Sequence, residues 1–250
     1  MSKPLLYDVF SGAGGAARGY MDSGFRVIGI DNKPQPRYCG DGFIQMDALE
    51  FLRRLHQGEF EQPDAIHCSP PCQFYSRLRH LPWLRDKAYW RSVPPTRERL
   101  MASGLPWVME NVADCWDMPD SIILCGQMFQ RPIFRHRRFE AWPFLLLQPP
   151  HEQHHMVICP GRASLDKRHH GLNAWNGEAG HPPGVQRHRA NMEIDWMTGA
   201  ELSQAIPPAY TLYVGTQLIL HLQSEVRTCA TTRPSKRSGA ASTAALAGRT

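Results

Sequence analysis

Short apolar, β-compatible runs alternate with helical stretches over residues 1 to about 140, and this alternation constrains the fold more than any other feature of the chain. Strands are predicted near Leu5–Phe10, Arg26–Ile30, Ala65–Cys68, Trp107–Met109, Ile122–Leu124 and Arg138–Trp142. Helices are predicted near Ala16–Asp22, Ala48–His56, Pro95–Ser103 and Thr198–Gln204, the last opened by a Thr198/Glu201 capping box. Strands joined through helices return in the same direction. The expected fold class is therefore α/β: a mostly parallel, Rossmann-like sheet with helices on both faces and a small irregular insert.

The first strand runs into Ser11-Gly12-Ala13-Gly14-Gly15, and then Ala16-Ala17-Arg18-Gly19-Tyr20-Met21 has helical character. Strand, glycine turn and helix form the layout of a nucleotide-type cofactor site, because glycines let a ligand approach the backbone closely. The second strand ends in Asp31, about twenty residues past the turn, where a carboxylate binds ribose hydroxyls. The glycine spacing is not GxGxxG, which disfavours a dinucleotide.

A second constellation carries the chemistry. Ala65-Ile66-His67-Cys68 leads into the proline-rigid turn Ser69-Pro70-Pro71-Cys72-Gln73, and Trp107-Val108-Met109 leads into Glu110-Asn111-Val112. If the two runs are neighbouring strands of one parallel sheet, Cys72 and Glu110 emerge together at its carboxyl edge, where open α/β sheets place their chemistry. A thiol nucleophile beside a carboxylate that hydrogen-bonds a ring suits attack on a flat, electron-poor heterocycle. Free cysteines are usually buried and inert, and Cys68, Cys125 and Cys159 are read that way. Arg135-His136-Arg137-Arg138 stands between two apolar stretches and reads as strand residues pointing into a site.

Asp8-Val9-Phe10-Ser11-Gly12-Ala13-Gly14-Gly15, Pro71-Cys72-Gln73, Glu110-Asn111-Val112 and Arg135-His136-Arg137 stand in the order found in DNA (cytosine-5) methyltransferases. The chain resembles the short, phage-type members of that family over roughly residues 5 to 221. The resemblance implies the methyltransferase fold that uses S-adenosyl-L-methionine, and methyl transfer to carbon 5 of cytosine in double-stranded DNA. It also implies a biological role in marking DNA or protecting it from restriction. By the same resemblance, Phe10, Ser11, Gly12, Gly14 and Gly15 hold the methionine part of the cofactor, Asp31 its ribose and Asp47 its adenine amino group. Pro70 lines the cofactor site, and Pro208, Tyr210 and Thr211 are assigned to its back wall. Cys72 matches the nucleophile, Glu110 the contact to ring nitrogen 3 and the exocyclic amine, and Arg135 and Arg137 the arginines that support the base.

The chemistry asks for these residue types. A thiolate adding to carbon 6 makes carbon 5 enamine-like, and nearby cations such as Arg137 are expected to lower the thiol pKa. A protonated or proton-sharing Glu110 stabilises charge developing on the ring. The target base must leave the duplex stack, so the partner is DNA with a flipped cytosine.

The chain departs from the pattern at three places. Ser69-Pro70 stands where larger members carry Gly-Phe, and Ile133-Phe134 precede Arg135 where a glutamine is usual. The closing Gly-Asn motif is replaced by Ala205-Ile206-Pro207-Pro208-Ala209-Tyr210-Thr211, with a helix expected over Leu212–Leu222. Two other readings stay open: the same fold acting on RNA or with a modified donor, and a catalytically silent DNA-binding relative.

At 250 residues and 42% hydrophobic content the chain is one ordinary domain with a small insert. Its expected divisions are a catalytic core over 1–147, a target-recognition-like insert over 148–192, a return to the core over 193–223 and a disordered tail over 224–250. No run approaches the roughly eighteen apolar residues of a membrane span, and no signal peptide precedes the first strand. Seven cysteines without regular spacing fit a reducing, cytoplasmic setting in a bacterial host cell. The tail holds Arg227, Arg233, Lys236, Arg237 and Arg249 against Glu225, so it carries +4 of the net +5 and leaves +1 on the body. The body is not a generic polyanion binder; its cations are clustered. Arg77, Arg79, Arg85, Lys87 and Arg91 lie among Tyr75, Trp83, Tyr89 and Trp90 in the segment 74–94, which offers cations for phosphates and rings for bases. The insert adds Arg162, Lys167, Arg168, Arg187 and Arg189. Its His151, His154, His155, Cys159, His169 and His170 do not match a standard zinc spacing, so no metal is expected and the histidines are read as exposed in a DNA-facing loop. A monomer is expected.

Overall fold

The computed structural model of the chain describes residues 2–131, 133–151 and 184–231. Within them seven strands form one sheet: β1 (Leu5–Val9), β2 (Arg26–Asp31), β3 (Gly42–Gln45), β4 (Ala65–Cys68), β5 (Trp107–Val112), β6 (Ile122–Leu124) and β7 (Arg137–Trp142). The order is β3-β2-β1-β4-β5-β7-β6. Strands β1 to β5 pair in parallel, and β7 runs antiparallel to both β5 and β6. The helices are α1 (Gly15–Ser23), α2 (Ala48–His56), α3 (Val93–Ser103), α4 (Val185–Met192), α5 (Gly199–Gln204) and α6 (Pro208–Thr231). The mostly parallel α/β class expected from the alternation of elements is the one observed.

Every residue of β1 is buried, because helices cover both faces of the sheet. Side chains alternate along the strand. Leu5, Tyr7 and Val9 join Phe51, Leu52 and Leu55 of α2 in one core, while Leu6 joins Ala16, Ala17 and Tyr20 of α1 and Tyr210, Val214 and Leu218 of α6 in the other. Each such large side chain contributes about 1.5–3 kcal/mol on burial. Helices α1 and α6 meet almost backbone to backbone: a Cβ placed on Gly19 would lie 2.1 Å from the Pro208 carbonyl oxygen.

The strand order reverses between β1 and β4. Crossovers leave β1 toward β2 and β3 on one side, and β4 toward β5 on the other. The crevice outside the carboxyl ends at such a reversal is where open α/β sheets bind ligands. The turns that leave β1 and β4 are the glycine turn and the Ser69–Cys72 turn.

Several elements differ from expectation. Strand β3 was not foreseen; it is a short, half-exposed edge pairing only with β2, and Gly42-Phe43-Ile44-Gln45 carries no clear alternation. Strand β5 continues past Met109 through Glu110 and Asn111, because these polar residues are paired with Phe139 and Arg138 of β7. Helix α4 lies within the stretch read as an aperiodic insert. Helix α6 starts before Leu212 and runs on through Thr231, past both Leu222 and the tail boundary placed at Ser224. The Thr198/Glu201 capping box is formed. His154, His155, Cys159, Arg162, Lys167, Arg168, His169 and His170 lie outside the described residues, as do Arg233, Lys236, Arg237 and Arg249. No helix among the described residues is long and apolar enough to cross a membrane.

Candidate active site

The glycine turn is set by backbone conformations that L side chains rarely adopt. Phe10 has φ 64°, Gly12 φ 50° and Gly14 φ 89°, and a non-glycine residue held there marks strain that the surroundings impose. The three glycines of the turn serve different ends. A Cβ on Gly12 would meet nothing within 4 Å, so the backbone there borders open space. A Cβ on Gly14 would strike Cys39 at 2.9 Å, and one on Gly15 would strike the Ile206 carbonyl at 2.6 Å. Gly12 thus leaves room for a ligand, whereas Gly14 and Gly15 allow close packing. The amide of Gly12 donates to Asp31 Oδ2 at 3.0 Å, which joins the turn to the carboxylate at the end of β2. Ser11 donates its backbone amide to Ile30. Open space beside Gly12 with a carboxylate at its edge fits the methionine and ribose ends of S-adenosylmethionine.

Other residues assigned to the cofactor have different partners. Asp47 Oδ1 accepts the amides of Leu49 and Glu50 and caps α2, a helix-starting contact that the sequence did not single out. Tyr210 and Thr211 are completely buried. Tyr210 donates to the Arg135 carbonyl at 2.6 Å, and Thr211 donates to the Ala16 carbonyl at 2.9 Å. In this structure they tie α6 to the arginine segment and to α1, so they shape the wall from behind rather than lining it.

The turn from Ser69 to Cys72 is anchored at each step. Ser69 donates its hydroxyl to Phe10 at 3.2 Å and its amide to Val9. The Pro70 carbonyl accepts Asn111 Nδ2 at 2.9 Å, and the Pro71 carbonyl accepts the Ser92 hydroxyl at 2.8 Å. The Cys72 carbonyl accepts the amides of Tyr75 and Ser76. Because β4 and β5 are adjacent and parallel, with Cys68 paired to Met109, Cys72 in the turn after β4 and Glu110 within β5 stand at the same edge of the sheet. Asn111, quoted only as part of a motif, is the residue that fastens the two together.

Glu110, Arg135 and Arg137 are gathered at that edge. Arg137 Nε lies 3.0 Å from Glu110 Oε1, an ion pair without hydrogen-bond alignment. Arg135 is buried, and its Nη2 donates to the Ser203 carbonyl at 2.6 Å. Burial pushes the Glu110 carboxyl up to about 7, against the opposing pull of Arg137 and Arg135. The Cys72 thiol is also pushed above its ordinary value by burial; Arg137 pulls it down, but not enough to offset desolvation and the charge of Glu110. The expected lowering of the thiol pKa is therefore corrected: the cation is present, and burial outweighs it.

The segment after Cys72 returns to the glycine turn at Trp90. Trp90 stands 6.3 Å from Phe10, ring centre to ring centre, and Phe74 and Tyr75 pack on Trp116. Trp83, Trp90 and Trp116 expose much of their rings. Arg79 lies over both Phe74 and Trp116. Arg77 pairs with Asp114 at 2.8 Å and Arg91 with Asp117 at 2.5 Å. The Arg77–Asp114 pair is exposed and contributes about 0–1 kcal/mol, so exchanging its carboxylate for a phosphate costs little, whereas Asp117 is largely buried and also accepts the Tyr75 hydroxyl, which holds Arg91 in place.

No family model matches the sequence, and no curated protein matches it. Among solved structures the chain is similar to Entamoeba histolytica methyltransferase EhMeth, at 13% identity over 90% of this chain and 99% of that one, with a TM-score of 0.50. The fold is that of a methyltransferase. It is also similar to S. pombe Dnmt2 methyltransferase, at 12% identity over 88% of this chain and 99% of that one, with a TM-score of 0.49. Against a Spodoptera frugiperda DNMT2, at 17% identity and a TM-score of 0.37, the match takes in 56% of this chain and spans about half, 52%, of that one. Identities this low carry the fold; the chemistry is read from the site itself.

Proposed function

We propose that the chain transfers a methyl group from S-adenosylmethionine to carbon 5 of a cytosine in double-stranded DNA, through a transient Cys72 adduct on a flipped-out base. The observation that carries this reading is a buried Glu110, titrating near 7 and held by Arg137, at the sheet edge it shares with Cys72. A carboxyl still partly protonated at neutral pH can donate that proton to ring nitrogen 3, which an ordinary carboxylate cannot.

The Cys72 thiolate adds to carbon 6, forming the S–C6 bond as the 5,6 double-bond pair moves to carbon 5 and Glu110 gives its proton to nitrogen 3. Arg137 steadies Glu110 as its charge develops. Bound along Gly12 and Asp31, S-adenosylmethionine supplies an electrophilic sulfonium methyl. Carbon 5 takes that methyl; its own proton then passes to water and nitrogen 3 returns its proton to Glu110, which restores the 5,6 double bond, breaks the S–C6 bond and returns the thiolate. Trp83, Trp90, Arg77 and Arg79 support the polynucleotide as substrate, since they offer exposed rings and cations beside the crevice.

The test is nucleoside mass spectrometry, with bisulfite sequencing, on a bacterium lacking its own cytosine-5 methylation and expressing the chain. The expected product is 5-methyldeoxycytidine, absent with Cys72→Ser. Methyl groups found only in RNA would move the substrate to RNA. Absence of product together with no covalent adduct on a 5-fluorocytosine duplex would leave a silent binding protein.

A further inference from the structure

We propose that Cys125, His136 and His151 form a zinc site that pins the β6–β7 hairpin to the chain leaving β7. Their donor atoms, one sulfur and two imidazole nitrogens, all lie within 4.8 Å of one another. The sequence alone leads to no metal: it reads the insert histidines as exposed in a DNA-facing loop and Cys125 as inert. Among the described residues, His151 is joined by two donors from the hairpin.

The hairpin register explains the convergence. Ile122 pairs with Phe139, Ile123 with Arg138 and Leu124 with Arg137. One further step places Cys125 opposite His136, as close cross-strand neighbours. The His151 ring then stands 5.3 Å from that of His136, nearly perpendicular to it. Burial falls from Cys125 through His136 to His151, so the sulfur lies deepest and a fourth position faces outward.

The donor set fits zinc, which is borderline-soft and takes thiolate and imidazole together. Tetrahedral ligation at about 2.0–2.3 Å sets donors roughly 3.3–3.8 Å apart, so closure asks for about 1 Å of side-chain adjustment. His151 is exposed and has room to supply it. Cys125 donates its own amide to Met128 Sδ at 3.4 Å and its thiol to the Ile133 carbonyl at 3.8 Å, a long contact that gives way when the sulfur takes a metal. Binding releases the thiol proton to solvent and leaves a neutral imidazole on each histidine.

The site's consequence is positional. His136 stands between Arg135 and Arg137, and the Arg135 carbonyl is held from the other side by Tyr210. A metal on His136 would fix the backbone from which both arginines extend toward Glu110. The proposal is independent of the substrate, and its test needs no activity.

The full chain, purified without a histidine tag from zinc-supplemented cells, is expected to hold about one zinc per chain by elemental analysis. Replacement with cobalt(II) is expected to give the intense visible bands of a tetrahedral site and a sulfur-to-cobalt charge-transfer band. His151→Ala, at an exposed position, is expected to fold normally and lose most of the zinc. Cys125→Ser is expected to abolish the charge-transfer band. Metal-free protein from supplemented cells would overturn the proposal. So would zinc and cobalt signatures that persist unchanged in either variant, since the metal would then sit elsewhere.

Discussion

Arg137 and Glu110 meet across the antiparallel pairing of β7 and β5 as diagonal neighbours: Arg137 is paired with Val112, two residues along β5 from Glu110, and its Nε reaches to 3.0 Å from Glu110 Oε1. Residues two apart on a strand share a face, so this contact is a consequence of register rather than of loop geometry. Desolvation raises Glu110 and the arginines restrain it, and the balance falls near 7.

That balance sets the pH dependence of turnover. In the proposed mechanism the productive state needs Glu110 protonated and Cys72 ionised, yet Glu110 titrates near 7 and the thiol above its ordinary value. Below about 7 both groups are protonated, and the thiolate fraction rises with pH. Above it the pair holds one proton, whose distribution no longer changes with pH. The single-turnover rate of the wild type is thus expected to rise with pH and level near 7. Glu110→Gln removes the levelling, so its much smaller rate, reduced about 10²–10³-fold by loss of the proton donor, should keep rising toward the thiol pKa. A variant that levels where the wild type does would assign the break to another group.

Removing Arg137 takes away the larger of the two cationic restraints on Glu110. The break in the pH–rate profile of Arg137→Met is expected to move upward, since an acid deprived of its cation holds its proton longer. Cys72 loses its main cation in the same substitution, so its alkylation by iodoacetamide at fixed pH should slow. Faster alkylation, or a break shifted downward, would contradict the electrostatic assignment.

Asn111→Ala deletes the Nδ2 bond to the Pro70 carbonyl and the Oδ1 bond from the Val112 amide. Leaving buried partners unsatisfied costs about 1–3 kcal/mol. The nucleophile turn loses its tie to β5, while the glycine turn and Asp31 keep theirs. Methyl transfer is expected to fall by on the order of tenfold or more, as a misplaced nucleophile reacts slowly, with cofactor affinity by calorimetry unchanged.

The common edge of Cys72 and Glu110 was legible in the sequence because β4 and β5 are continuous apolar runs, the signature of strands buried on both faces. The partner of Glu110 was not: Arg137 was identified as a site residue, but its contact depends on β7 lying antiparallel beside β5, and strand order leaves no local mark. The direction of the Cys72 shift was misread for a related reason. A nearby arginine is visible in a motif, whereas the extent of desolvation is a property of the packed crevice. Strand β3 escaped notice because an exposed edge needs no apolar alternation. The nearness of Cys125 to His136 is fixed by a hairpin register that neither residue's neighbours announce.

Gly19 is a position where one methyl group decides stability. A Cβ there would lie 2.1 Å from the Pro208 carbonyl oxygen and 2.2 Å from Thr211 Oγ1. The first obstacle is backbone and cannot rotate away, so α1 and α6 must separate. Gly19→Ala is expected to destabilise by about 1–3 kcal/mol or more in urea unfolding, the usual cost of overpacking. Gly42→Ala is the control, because its Cβ would meet nothing nearer than 3.5 Å. Equal midpoints for the two variants would refute the tight helix contact.

Beneath the glycine turn, Asp8 and His67 are completely buried, with His67 Nε2 3.9 Å from Asp8 Oδ1 and His67 Nδ1 2.9 Å from the Tyr20 hydroxyl. Burial lowers His67 to about 3. It raises Asp8 to about 8, with the charge of Asp31 adding to the shift. These shifts act on stability in opposite senses. The folded state keeps His67 neutral, so that contribution is present above the unfolded value near 6.5 and is lost as pH falls toward 3. The folded state keeps the proton on Asp8, so that contribution is present below the unfolded value near 3.9 and is lost as pH rises to about 8. Between about 4 and 6.5 the two slopes offset one another, and above 6.5 only the Asp8 loss of this pair remains, on the order of 1.4 kcal/mol per pH unit, while the Glu110 loss is common to wild type and variant and cancels in their difference. Asp8→Asn keeps the shape of the side chain and removes the titration. Its unfolding free energy relative to wild type is expected to improve steadily from pH 6.5 to 8 in urea titrations. A difference that stays constant across that range would show that Asp8 is already ionised in the folded protein.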